Sequence, residues 1–219
     1  MQTVLGRLQA LLADLYDVDP GCEVGDFVTS DRNCLPHPVR ASLTDEHLLV
    51  ACDAEAVSIS LFIDARVLAR LGERDPFVRL DGRNLGDCWT ALEGVSHFLC
   101  VAWNARHDRG VSVLELEMQA EIDKFVVTAL LLGRQGCQRF PAELHRLLFV
   151  SARVDPQLAG ARAGLYRLAS RRAAQFCRRV ERSMQQAVAS RLPAALGIEL
   201  KRFYRLPDRA KFEYIAQLG

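Results

Sequence analysis

No apolar run in this sequence approaches the roughly 18–20 residues needed to span a bilayer. The longest, "FVVTALLLG" and "HFLCVAW", stop at half that length or less. The N-terminus also lacks the basic start and unbroken apolar core of a signal peptide, so a cytoplasmic protein is expected. Paired cysteines are missing. Cys22, Cys34, Cys52, Cys88, Cys100, Cys137 and Cys177 are scattered, odd in number and mostly set in apolar segments, which suits reduced thiols better than a disulfide framework. The loop "CEVGDFVTSDRNCLPH" holds Cys22, Cys34 and His37 but not the close cysteine pair of a zinc site. Gly-rich phosphate loops and nucleophile elbows are absent, and with them the signatures of the commonest enzyme classes. There is no internal repeat, low-complexity tract or Pro/Gly/Ser-rich linker, so residues 1–219 read as one domain, with an α/β portion (1–83) and a helical portion (84–219).

What is present is an ordinary globular composition with an uneven charge distribution. The 219 residues are 50% apolar and 25% charged, with a net charge of +1. Residues 1–150 carry 14 Lys and Arg against 22 Asp and Glu, whereas residues 151–219 carry 14 against 5. The basic tail is therefore expected to meet an outside polyanion, or an acidic part of its own chain or of a second copy.

The pattern predicts an α+β fold. "TVLGRLQALLADLYDV" has the spacing of an amphipathic helix, ended by Pro20 and Gly21. Val57, Ile59, Leu61 and Ile63 alternate with Ser58 and Ser60, which makes an antiparallel hairpin near 47–63, and "EVGDFVTS" and "PFVRL" are expected to add strands. Asp64 is a candidate N-cap for "ARVLARLGER", Asn84 for a helix to about 105, and Ser112 for one to about 132. The last two helices should form an αα-hairpin over about 84–132. A short helix in "PAELHRLLFV", a long arginine-rich one over about 157–191 and a last one opened by Pro207 complete the reading.

Several local patterns invite a chemical reading and then depart from it. The acidic turn "DVDPGCEVGD" places Gly21 and Cys22 where a calcium loop needs an oxygen ligand and then glycine. "RNCLPH" (Arg32 to His37) and "RFPAELH" (Arg139 to His145) each resemble the arginine-to-histidine spacing of the HEPN family of RNA-cleaving helical domains. The resemblance covers six or seven residues. Pro36 sits beside the histidine of the first, and Phe140 stands in the second where the family usually has a polar residue.

Two polar patterns survive as candidate sites. Taking about 100° per residue, Thr90, Glu93, His97 and Asn104 share a strip in an otherwise apolar helix, and Glu117, Glu121, Lys124 and Thr128 share one in the next. Glu115, Gln119 and Asp123 give that second helix another polar side, expected to face water. A turn at "HDRG" makes antiparallel neighbours sum to about 218, which sets His97 opposite Glu121, Glu93 opposite Lys124 and Thr90 opposite Thr128. Such complementarity suits a structural ladder that fixes register, with no metal and no cofactor. The alternative is a metal-dependent or acid/base hydrolase with its site at Glu93, His97, Glu117 and Glu121. Ferritin-like di-iron proteins put histidine three residues after a glutamate and do so twice; here the spacing is four and occurs once.

The other pattern lies in the long helix. Leu165, Ala169, Ala173, Phe176, Val180 and Ala187 gather on one side, and Arg167, Arg171, Arg172, Arg178, Arg179 and Arg182 fan across the other. These arginines are candidate anion- or partner-binding residues. Base-stacking aromatics are sparse on their face, so carboxylates of the same chain or of a second copy are preferred to nucleic acid as their partners. The chain is expected to be a cytoplasmic binding or regulatory protein, non-enzymatic, with another protein or a second copy as partner and no membrane. A nucleic-acid-associated role through the arginine helix is the remaining alternative.

Overall fold

The computed structural model describes residues 3–40, 44–53, 56–136, 141, 143–150, 160–186 and 192–218. The fold is α+β, a small three-stranded sheet with many helices. It divides into two compact units. One comprises Met1–Asp14 and Val18–Gly110, the other Leu15–Asp17 and Val111–Gly219.

The first unit opens with α1 (Val4–Tyr16), whose Leu5, Leu8, Leu11 and Leu12 are buried at helical spacing. Its Gln9 side chain ties down the turn that follows, donating to the Cys22 carbonyl at 2.7 Å and accepting from the Val24 amide at 2.6 Å. In that turn Gly21 has φ +71°, a left-handed conformation that glycine adopts without strain, and the Arg106 guanidinium packs over it. β1 (Val28–Thr29) is followed by a four-residue helical turn, α2 (His37–Arg40), and then β2 (Glu46–Cys52) and β3 (Val57–Ile63). β2 and β3 pair antiparallel from Glu46↔Ile63 to Cys52↔Val57, the expected hairpin. The sheet is nevertheless mixed, because β1 runs parallel to β3 in the order β1-β3-β2. "PFVRL" makes no strand; it is a turn in which the Asp75 carboxylate accepts from the Phe77 amide at 2.8 Å.

α3 (Ala65–Glu73) begins as expected at Asp64, whose side chain accepts from the Arg66 amide. α4 (Leu85–Ala105) packs against α3 and the sheet. A Cβ on Gly94 would come 2.9 Å from Leu61 and 3.0 Å from Glu46, so glycine lets the helix lie close on the strands. This contact places α4 with the sheet, whereas the sequence grouping began a helical portion at residue 84. Asn84 precedes α4 but makes no capping bond; its amide instead donates to the Arg74 and Arg79 carbonyls, and its oxygen accepts from the Asp81 amide.

The second unit is helical. α5 (Val113–Arg134) is capped by Ser112, whose hydroxyl accepts from the Glu115 amide at 3.1 Å. α6 (Leu144–Phe149), α7 (Gly160–Gln185), α8 (Ala194–Arg205) and α9 (Asp208–Ala216) follow. The expected ends of the long helix, 157–159 and 187–191, lie outside the described residues. α5 packs on α7, α6 on both, and α9 on α7. Aromatic rings fill the core: Phe176 stacks on Phe203 at 4.2 Å, and Tyr16, from the last turn of α1, stacks on Tyr204 at 4.1 Å.

The core also holds charge, which corrects the sequence reading of α5. Glu115, Gln119 and Asp123 do not face water; they are 3%, 0% and 1% exposed. Each has a partner that the sequence pattern did not disclose. Lys211 of α9, fully buried, places its Nζ 2.6 Å from the Glu115 carboxylate and 5.3 Å from the Tyr204 ring. The Tyr16 hydroxyl donates to Asp123, while Gln119 donates to the Tyr16 oxygen at 3.1 Å and to Asp123 at 2.8 Å. Burial, and next the Asp123 charge, raises the Tyr16 phenol well above its ordinary pKa.

Candidate binding cleft

Within the first unit, α4 presents His97 to the sheet. Its Nδ1 lies 3.7 Å from the Glu46 carboxylate of β2, and both side chains are nearly buried, 8% and 12% exposed. Glu93, one turn earlier, is half-buried. Within the second unit, Glu117 and Glu121 are half-buried on α5, and Lys124 places its Nζ 2.6 Å from Glu121, one turn away on the same helix. The partners seen inside each unit, Glu46 for His97 and Glu121 for Lys124, were not anticipated. The pairs His97–Glu121 and Glu93–Lys124 would join one unit to the other and stay an expectation of the sequence.

The arginine face of α7 is more fully defined. Its apolar side is buried as expected at Ala169, Ala173, Phe176 and Val180, joined by Cys177 and Met184. Burial raises the Cys177 thiol far above its ordinary range, which makes it an inert core group. The six arginines then separate by partner. Arg179 is held by Glu199 of α8 at 2.5 Å, and Glu199 also accepts from the Tyr214 hydroxyl at 2.6 Å. Burial opposes ionisation of that carboxyl, yet the hydrogen bonds from Arg179 and Tyr214 hold it below its usual pKa. Among the described residues, Arg172 reaches the Gln175 amide oxygen, at 3.5 Å. Arg167, Arg171, Arg178 and Arg182 are exposed, and among the described residues none of them has a carboxylate within ion-pair distance. Among the described residues, Arg179 is the one arginine of this face paired with a carboxylate of the chain.

Arg171, Arg178 and Arg182, spaced seven and four residues apart, fall within a strip about 40° wide and about 16 Å long. They line a cleft of about 860 Å³ between α6, α7 and the chain just after α9. Its other walls are His145, Phe149 and Val150 from α6, Ser170, Ala174, Gln175 and Glu181 from α7, and Leu218. The α6 wall is fixed in place by His145, whose Nε2 donates to the Ala174 carbonyl at 3.0 Å, while Leu144 and Leu148 turn inward. Gln175 is fixed likewise, donating to the Ile215 carbonyl at 3.0 Å. Val150, 69% exposed, and half-exposed Phe149 present apolar surface beside the arginines. The sequence reading found the arginines but not this floor, although Leu147 and Val150 alternate with inward-facing Leu144 and Leu148 in a way that marks an outward apolar edge.

The chain matches no protein-family model, no characterised protein and no solved structure. Among the described residues, no helix is long and apolar enough to cross a membrane.

Proposed function

We propose that the chain is a non-enzymatic binding or regulatory protein of the cytoplasm, whose recognition surface is the cleft lined by Arg171, Arg178 and Arg182. One observation carries the reading: three exposed guanidinium groups line a concave surface, and among the described residues none of them has a carboxylate within ion-pair distance, although Glu181 also lines the cleft. Keeping them together costs little. At about 10 Å in water two like charges repel by roughly 0.4 kcal/mol, and a Debye length of about 8 Å screens even that. A partner that brings carboxylates or phosphates gains much more, because hydrogen bonds to the planar guanidinium are charge-assisted and often doubled. The partner is therefore an anionic segment of another protein or of a second copy. The free thiols Cys22, Cys34 and Cys52 suit a reducing compartment.

The test is fluorescence anisotropy with labelled polyglutamate and labelled single-stranded RNA at two salt concentrations. Binding of at least one polyanion that weakens steeply with salt, is lost in Arg171→Glu/Arg178→Glu and survives in Arg202→Glu on α8, is expected. Anion binding that is absent, or indifferent to the cleft substitutions, overturns the reading.

A further inference from the structure

The cleft is not merely basic, and what lies beside the arginines narrows the ligand. Phe149, Val150, Ala174 and Leu218 line the same cleft as Arg171, Arg178 and Arg182 and supply it with apolar surface. Val150 is among the most exposed large apolar residues of the described chain, although its neighbours Leu144 and Leu148 are buried. A ligand that met only the charges would leave that surface wet.

Resting on the function proposed above, we infer that the cleft receives an acidic amphipathic helix of a partner protein. Its carboxylates meet Arg171, Arg178 and Arg182, and its apolar side chains cover Phe149, Val150 and Leu218. The arginines are spaced seven and four residues apart on one helix face, a periodicity that a second helix reproduces with its own acids. The span from Arg171 to Arg182, about three helical turns, fits the stripe of such a helix. Two features weigh against a nucleic-acid strand. Phe149, the phenyl ring of the cleft, is already packed against His145 at 4.9 Å and Phe125 at 6.1 Å, which leaves little of its face for a base. Glu181 also sits in the cleft, where it would repel a phosphodiester backbone but can meet a lysine of a peptide.

The experiment uses the full chain and three labelled probes at physiological salt. One is a helical peptide of about 18 residues with glutamates seven and four apart and a leucine stripe beside them; the others are polyglutamate of equal length and a single-stranded oligonucleotide. The peptide should bind at least about tenfold more tightly than polyglutamate. Val150→Ser, at an exposed position, should remove most of that advantage, and so should replacing the peptide's leucines with serine. Equal affinity for peptide and polyglutamate, or tighter binding of the oligonucleotide, overturns the inference while the anion-binding function stands. Failure of all three probes to bind overturns both.

Discussion

Lys211 is a cation set in the protein core. It is fully buried, its ammonium meets Glu115, and Phe203 and Tyr204 supply the rings around it. An unpaired buried charge costs about 3–5 kcal/mol, whereas an apolar replacement of the whole pair can be close to neutral. Lys211→Met alone should therefore destabilise the protein more than Lys211→Met with Glu115→Leu, and denaturant unfolding of the double-mutant cycle measures the difference. Tyr16→Phe should cost about 1–3 kcal/mol in the same assay, because Asp123 and Gln119 lose a buried partner. None of this was legible in the sequence. Glu115, Gln119 and Asp123 recur at helical spacing just as a solvated face does, and only the long-range partners, Lys211 and Tyr16, show that the face is buried. A residue pattern records polarity; it does not record which distant group satisfies it.

Individual elements were far more readable where the cause is local. Asp64 and Ser112 cap the helices they were expected to cap, since an N-cap needs only a side-chain oxygen within reach of an amide two or three residues on. Asn84 has the same chemistry but gives it to the preceding turn. α8 went unread because Pro193 looks like an end, although Leu196, Leu200, Phe203 and Tyr204 have the spacing of a buried helix face. β1 was expected as a strand, but its parallel pairing depends on a partner more than thirty residues away. The Asp64 cap makes a pH prediction. Hydrogen bonds from the Arg66 side chain and amide, with Arg32 beyond, hold its carboxyl well below the ordinary range. A depressed folded-state pKa means that the stabilisation is present above the unfolded value, about 3.9, and fades as pH falls below it. Asp64→Ala should lose about 1 kcal/mol at pH 7. The loss should shrink as the unfolding titration is carried towards pH 2, and a deficit that stays constant with pH would assign it to packing.

At the scale of the molecule, the charge asymmetry was plain from composition, and its basic portion includes the helix whose face lines the cleft. The division of the chain was not, because it depends on packing rather than on a linker. α4 joins the sheet through the close approach at Gly94, and the last turn of α1 belongs with the helices of the second unit. A fragment of residues 111–219 would therefore lack Tyr16, leaving Asp123 and Gln119 without their hydroxyl and Tyr204 without its stacked ring. Expressed alone, it should unfold in a broad, uncooperative transition by circular dichroism, where the full chain unfolds sharply.

The position of Tyr16 also bears on how the protein is made. It leaves the ribosome before its partners, since Gln119 and Asp123 follow it by 103 and 107 residues. At about 5–20 residues per second, it stays exposed on the order of 5–20 s before its partners exist. During that interval the Tyr16 end of α1 is a surface for chaperones to hold, and a pause in translation after residue 110 would prolong the wait without altering the finished fold.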